Sequence, residues 1–568
     1  MEERLKKLTI AVLLVLVIVL GYYQIVKGDY FFKKSRLNYL RIIPQKSLRG
    51  IIYDRHHQAL VKNTLSFQAC LFPHTPQRQK VLSALSRVLQ VEKKILEDNF
   101  HKNIIAPFIP VPVYTFSSVD KAIRLEEKNI EGLIIKVVPQ REVVSPFALA
   151  QVVGYVQSMP KALSYLRKYG FKTYQDFGIS GLEAYYDDYL RGKEGGVQVE
   201  VNSRGEVRGV LGKVKPQKGK DLFTSLDLRM QDLAYRLLEE KRQRGVILLM
   251  DPYSGEIMVM VSYPSFNANR ISDAAYFRRL LRNSGYPFLN RSLQGEYPPG
   301  SVFKPVVALA ALEKKKVSLA TKFFCDGTFN FKGTKYRCWS VHGWQSLLGA
   351  LAVSCDIYFY NLGLRVGVEP IVYYARMLGL GALSGVDLPQ ERRGLLPSPA
   401  WKRHKRHQSW YKGDTINLSI GQGYLLVTPL QIARLMSVFA NGGYLVRPHL
   451  VRKIESVSLG VKKEKLHLNP AGLRWVRKGM RFVVSRENGT AHILEDLGLE
   501  IAGKTGTAQT SAGPSHGWFG GFFPYHNPKY VIVVFLENGK SSHNACILAK
   551  EFLKEAKDKG WLSNNETQ

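Results

Sequence analysis

Ser301 and Lys304 lie three residues apart in YPPGSVFKPVVALAAL (297–312), a spacing that puts two side chains on one face of a helix. The Pro-Pro-Gly before them and Pro305 after them predict that the helix starts at Ser301. Free N–H groups at such a start favour an anion, including an oxyanion. A serine attacks poorly until something takes its proton. Lys304 can do so only if its pKa falls well below about 10.4, and burial and a second cation both push it that way. The same spacing recurs at Ser118/Lys121 and Ser409/Lys412, so it decides nothing alone. Only Ser301 has the proline-glycine start and the apolar run behind it.

A second cation stands in GLEIAGKTGTAQT (498–510), which reads as a strand around Lys504-Thr505-Gly506. Gly506 lets an extended substrate backbone lie close beside it, as peptides do when they add to a sheet edge. Thr505 and Thr507 offer hydroxyl donors to a terminal carboxylate, and Lys504 supplies charge. Between the two motifs, LAVSCDIYFYNLG (351–363) introduces a helix at Ser354-Cys355-Asp356. Ser354 is placed to relay a proton to a leaving group, and Asp356 to orient Lys304 or the substrate. Each motif alone also has a plain structural reading, as a helix cap or a solvated strand lysine. The three in order are much harder to explain that way.

The elements that must position these residues belong to a chain of 568 residues, beyond the roughly 250–300 at which single cores stop growing. With 45% hydrophobic and 22% charged residues it reads as globular, without repeat or low-complexity signatures. Lys+Arg 81 against Asp+Glu 46 gives +35, which calls for an anionic partner. No nucleic-acid module is present, leaving acidic lipid or an acidic polymer. LTIAVLLVLVIVLGYYQIV (8–26) has the length and composition of a membrane-spanning helix. A cleaved signal peptide is the competing reading, but no small-x-small site follows. Arg4, Lys6 and Lys7 favour a cytoplasmic tail over 1–7, although Lys33, Lys34 and Arg36 weaken the bias. The rest would lie outside the membrane on one side.

Residues 27–225 alternate like strands between short helices, one expected over 78–98 and a glycine-bounded one within 178–196, and read as an α+β pedestal. From 226 to 560 the order is a long amphipathic helix, a hairpin with a DPYSG turn (245–264), helices, a strand at 530–537 and a closing helix around 543–557. That order predicts an antiparallel sheet flanked by helices, followed by a tail over 561–568. KRHKRHQSWYKG (402–413) reads as a basic loop, either a solvated run or a membrane or substrate contact.

Ser301-x-x-Lys304, Ser354-x-Asp356 and Lys504-Thr-Gly together resemble the three motifs of the penicillin-recognising serine acyltransferases. Arg49-Gly-Ile-Ile-Tyr-Asp-Arg55, with His56-His57-Gln58 in place of the usual Asn-Gly turn, looks like a pedestal motif of that family. So do Gly178-Ile-Ser-Gly-Leu-Glu183 and Gly192-Lys-Glu-Gly195. GDTINLSIGQGYLLVTPLQ (413–431) and the single anchor are similar to class B, monofunctional members. Asp356, where septal enzymes usually carry Asn, together with RCWSVHGW (337–344), points to the elongation type, the penicillin-binding protein 2 group; the septal type is the alternative. The resemblance implies a multidomain α+β chain of anchor, elongated pedestal and transpeptidase domain in the cell inner membrane, with the catalytic domain periplasmic. It implies a D,D-transpeptidase that acts on peptidoglycan stem peptides and lipid-linked nascent glycan and is acylated by β-lactams. The N–H groups of Ser301 and Thr507 would form the oxyanion hole. Its implied partners are a SEDS-family, RodA-like glycosyltransferase and elongation-complex scaffold proteins. A sensor acylated by penicillin without cross-linking shares the motifs. A β-lactamase would need a deacylating carboxylate for which there is no clear candidate.

Cys325, Cys338, His342 and Cys355 follow the pattern C-x12-C-x3-H-x12-C, and Cys355 sits inside the middle motif. Three thiolates and an imidazole suit a closed, structural zinc site. A Cys325–Cys338 disulfide is the other reading. No cofactor is implied for the catalysis itself. Some elongation-type relatives bind zinc in this region with carboxylates as the first two ligands, which the resemblance alone implies.

Overall fold

The structure is a computed structural model and describes residues 1–104, 109–161, 173–202, 207–510 and 513–562, so residues 563–568 of the expected tail lie outside it. The apolar run is helical over Glu2–Val26, with mean hydropathy 2.5 and no residue buried, and is long and apolar enough to cross a membrane. An α-helix covers Glu2–Gly21, and a π turn follows at Tyr22–Val26. The aromatic pair Tyr22 and Tyr23 stands exposed at that end.

In the pedestal, three antiparallel strands (Leu40–Gln45, Gly195–Val201 and Val207–Val214) form one sheet. A seven-stranded sheet is built around the long strand Ala59–Leu71, which pairs on its two sides with Val111–Phe116 and Leu133–Val143. The helix expected over 78–98 is two helices, Arg78–Leu89 and Lys93–Lys102, because Gln90 turns left-handed at φ 60° and ends the first. Leu222–Thr224 joins the sheet beside Ile52–Tyr53 and brings Val451–Ile454 with it. Two strands from far along the chain, Val451–Ile454 and Val457–Ser458 beyond it, therefore complete the pedestal sheet.

Two of the three pedestal motifs meet in the interior. Arg49 donates to Glu183 Oε2 through Nε (3.0 Å) and Nη2 (2.6 Å), and Arg141 Nε donates to Glu183 Oε1 at 2.6 Å. Glu183 is 1% exposed. Arg49 also reaches Asp187 Oδ1 at 2.9 Å. This cluster ties the segment after the anchor to the glycine-bounded helices, Gly181–Tyr185 and Asp187–Leu190.

The C-terminal region is organised on five antiparallel strands: β1 (Gly245–Met250), β2 (Ile257–Tyr263), β3 (Ala502–Ala508), β4 (His516–Phe523) and β5 (Tyr530–Leu536). Their order is β2-β1-β5-β4-β3, which leaves β3 at an edge. β1 is buried along its whole length because both faces are covered. Val246, Leu248 and Met250 pack into the larger core with the helices after Ser301. Ile247 and Leu249 face the helices Leu228–Glu240 and Ser542–Asp558. This is the antiparallel sheet flanked by helices that the order of elements predicts, and Asp227 caps the first helix by accepting from Arg229 N and Met230 N.

One expectation fails here in part. Residues 402–413 are a loop only over 407–411: Pro399–Arg406 is helical and Lys412 opens another helix. Lys402 is buried at 3% exposed and donates to Asp414 Oδ2 at 2.7 Å, an ion pair ten residues of local pattern do not reveal.

Candidate active site

Ser301 lies in a 3-10 turn, Gly300–Phe303, and the α-helix begins only at Lys304, with Pro305 in its first turn. The tighter turn still stacks residues three apart. Lys304 is fully buried, while Ser301 keeps partial exposure. Lys304 Nζ donates to Ser354 O (2.8 Å), Ser354 Oγ (3.2 Å) and Asp356 Oδ1 (2.7 Å), and the ring of Phe359 lies 5.2 Å away. First and middle motifs are thus one hydrogen-bonded unit.

Ser354 does not itself enter a helix. It bridges the helices Leu347–Ala352 and Asp356–Val366 at φ 56°, a left-handed conformation that non-glycine residues adopt only when their surroundings hold them there. Two thiols supply part of the hold. Cys338 Sγ accepts from Asp356 N at 3.3 Å, and Cys355 Sγ caps the following helix by accepting from Tyr358 N at 3.5 Å. Trp339 Nε1 donates to Val353 O at 3.1 Å.

The expected strand is β3, and Lys504 is fully buried on it. Burial first, and the charge of Lys304 second, depress Lys504 well below the usual lysine range. Lys504 Nζ donates to Thr505 O at 3.1 Å, and Thr505 Oγ1 lies 2.6 Å from Thr490 Oγ1. Gly506 is required by crowding: a Cβ there would sit 2.7 Å from Pro299 O and 2.8 Å from Val302 Cγ2, driving the edge strand away from the Ser301 turn. Thr507 is exposed beyond it and bonds to Ser542, a residue that sequence reasoning missed because it lies 35 positions away.

Cys325, Cys338, His342 and Cys355 also come together, with one donor atom from each lying within 4.8 Å of all the others. His342 turns Nδ1 to Cys325 Sγ (3.5 Å) and Cys338 Sγ (3.4 Å). The five cysteines are unpaired. The hydrogen bond with Cys355 pulls the Cys338 thiol down and pushes the Cys355 thiol up. The four side chains are a converging set of soft donors of the kind that could hold a metal ion.

Comparison with known proteins shows the family. The model of the penicillin binding protein transpeptidase domain matches residues 245–556, and that of the penicillin-binding protein dimerisation domain matches 44–224. The chain belongs to the penicillin-binding protein transpeptidase family. Among its relatives, the peptidoglycan D,D-transpeptidase MrdA of Escherichia coli is 30% identical, the match covering 96% of this chain and 91% of the relative. MrdA of Acinetobacter baumannii is 32% identical over 96% of this chain and 85% of the relative. Penicillin-binding protein 2 of Helicobacter pylori, solved in complex with MreC, superposes with TM-score 0.81 at 30% identity, covering 92% of this chain and 99% of that one. A structure described as a peptidoglycan synthase complex that coordinates polymerisation and cross-linking gives 0.74 at 28% identity, covering 100% and 99%. The α+β architecture with an apolar N-terminal helix, a pedestal and a transpeptidase domain is therefore that of the elongation group.

Proposed function

We propose that Ser301 is the nucleophile of a serine acyl transfer in which Lys304 takes its proton. The chain is a peptidoglycan D,D-transpeptidase of the elongation type. The observation that carries the residue assignment is the buried bond set from Lys304 to Ser354 and Asp356. Ser301 attacks the D-Ala-D-Ala carbonyl of a stem peptide laid along β3. The N–H groups of Ser301 and Thr507 receive the oxyanion, each such donor worth about 3 kcal/mol. Ser354 passes the proton on to the departing D-Ala, Asp356 orients Lys304, and Lys504, Thr505 and Thr507 receive the terminal carboxylate. Gly506 lets the Ser301 turn pack directly against this edge strand. An amine from a neighbouring stem then resolves the acyl-enzyme, and β-lactams acylate Ser301 and remain. No catalytic cofactor takes part.

The domain division follows the same reading: tail 1–7, anchor 8–26, pedestal 27–225, transpeptidase domain 226–560. The N-terminal tail lies in the cytoplasm and the catalytic domain in the periplasm, where the polymer is. Polymerisation comes from a SEDS-type, RodA-like partner, and a scaffold protein contacts the pedestal; the solved complexes of the relatives support such assemblies. The test is reconstitution with that polymerase and lipid-linked precursor. Cross-linked muropeptides and free D-Ala are expected with the wild type and not with Ser301→Ala. Acylation by penicillin without cross-links in the complete system would favour a sensor.

Zinc, held by Cys325, Cys338, His342 and Cys355, would fasten the 325–342 loop against Ser354, a structural and not a catalytic service. Protein purified without added zinc or a histidine tag is expected to carry about one zinc per chain. A metal-free, fully active enzyme would overturn this.

A further inference from the structure

We propose that Ser542 is a positioning residue for acyl transfer, its backbone N–H fixing the Thr507 hydroxyl that receives the donor's terminal carboxylate. This deepens the reading above and rests on it. Ser542 N donates to Thr507 Oγ1 at 3.1 Å, and Thr507 Oγ1 donates to Ser542 Oγ at 3.2 Å. A threonine hydroxyl on an exposed edge strand otherwise has several staggered positions to choose from. One lone pair held by a fixed N–H leaves its single proton free to turn from Ser542 Oγ to an arriving carboxylate. Ser542 is the first residue of the Ser542–Asp558 helix, so its N–H has no carbonyl to meet within that helix.

The turn that delivers this N–H is over-determined. Asn538 (φ 54°) and Lys540 (φ 71°) are both left-handed without being glycine. Asn538 N donates to His516 Nδ1 at 3.0 Å, Lys540 N to Ser515 O at 2.9 Å, and Asn544 Nδ2 to Gly539 O at 2.8 Å. Gly517 stands opposite Thr507 in the β3–β4 register, and a Cβ on it would fall 2.3 Å from Ser541 O. One ladder pair therefore carries both the hydroxyl and the seat of the turn. These bonds hold the turn without Thr507, so the contact with Thr507 is additional to what the helix start needs.

Ser542→Pro removes the N–H and the Oγ together and sets the ring Cδ where the N–H pointed, which turns the Thr507 hydroxyl away, and Ser542→Ala separates the loss of Oγ from the rest. Proline suits a first helical position, and Ser541, at φ −150° and ψ 161°, already has the extended backbone that a residue before proline requires. The readout on the full-length chain is the ratio of kcat/KM for a small thioester acyl donor ending in a free carboxylate to that for its methyl ester. The ratio is expected to fall at least about fivefold in Ser542→Pro, the worth of one hydrogen bond being the lower bound, and to stay at the wild-type value in Ser542→Ala, which keeps the N–H. Gly517→Ala, which retains both partners and displaces the turn, is expected to lower the ratio as well, and serves if the proline variant does not fold. An unchanged ratio in either folded variant, or equal losses with acid and ester, would overturn the inference. A wild type that turns over neither donor would overturn the acyltransferase reading beneath it.

Discussion

Lys304→Met is expected to lower the rate of acylation by penicillin about a thousandfold, within the range for loss of a positioned proton acceptor. The substitution keeps the length and apolar stem of a fully buried side chain beside Phe359, so the fold is retained. It removes the three donations to Ser354 and Asp356 and leaves Ser301 with its proton. Asp356→Asn should cost less, since an amide oxygen still accepts from Lys304. Stopped-flow acylation of folded protein checks both. A Lys304→Met rate within tenfold of the wild type would remove Lys304 from the proton path.

The second large effect is on stability. Glu183→Gln is expected to cost about 3–5 kcal/mol, because Arg49 and Arg141 remain buried with the charge between them gone. Arg141 Nη2 is already buried without a partner, so little is left to absorb the loss. Burial pushes the Glu183 carboxyl up, and the charges of Arg141 and Arg49 more than offset it, leaving it below the usual carboxylate range. A folded-state pKa below the unfolded one gives stability that is present above about pH 4.3 and lost as pH falls through the folded value. The wild type therefore weakens in acid through this group, and the variant's acid limb is flatter. Denaturant melts of both proteins from neutral to acid pH measure this. A loss under 1 kcal/mol at neutral pH would contradict it.

The sequence made the three motifs legible because each depends on local chemistry: a proline-glycine start, a three-residue spacing, a glycine inside a strand. Continuous apolar runs and a turn signal likewise predict β1, β2 and β5. What it hid depends on distant neighbours or on a single backbone angle. The Ser301 turn is 3-10, Ser354 is left-handed and Gln90 breaks a helix, none of which periodicity registers. Lys402 looked solvated in a basic run until Asp414 was seen folded back on it. Val451–Ile454 joins a sheet begun four hundred residues earlier, and Ser542 reaches Thr507 across a turn. The cysteine pattern was readable as a cluster, yet its bond to Asp356 N, which ties it to the middle motif, was not.

The most direct test is to incubate the purified full-length protein with fluorescent penicillin, digest it, and identify the labelled peptide by mass. The account predicts one stable adduct on Ser301, absent from folded Ser301→Ala. Label on another residue, or none on folded wild type, would contradict it.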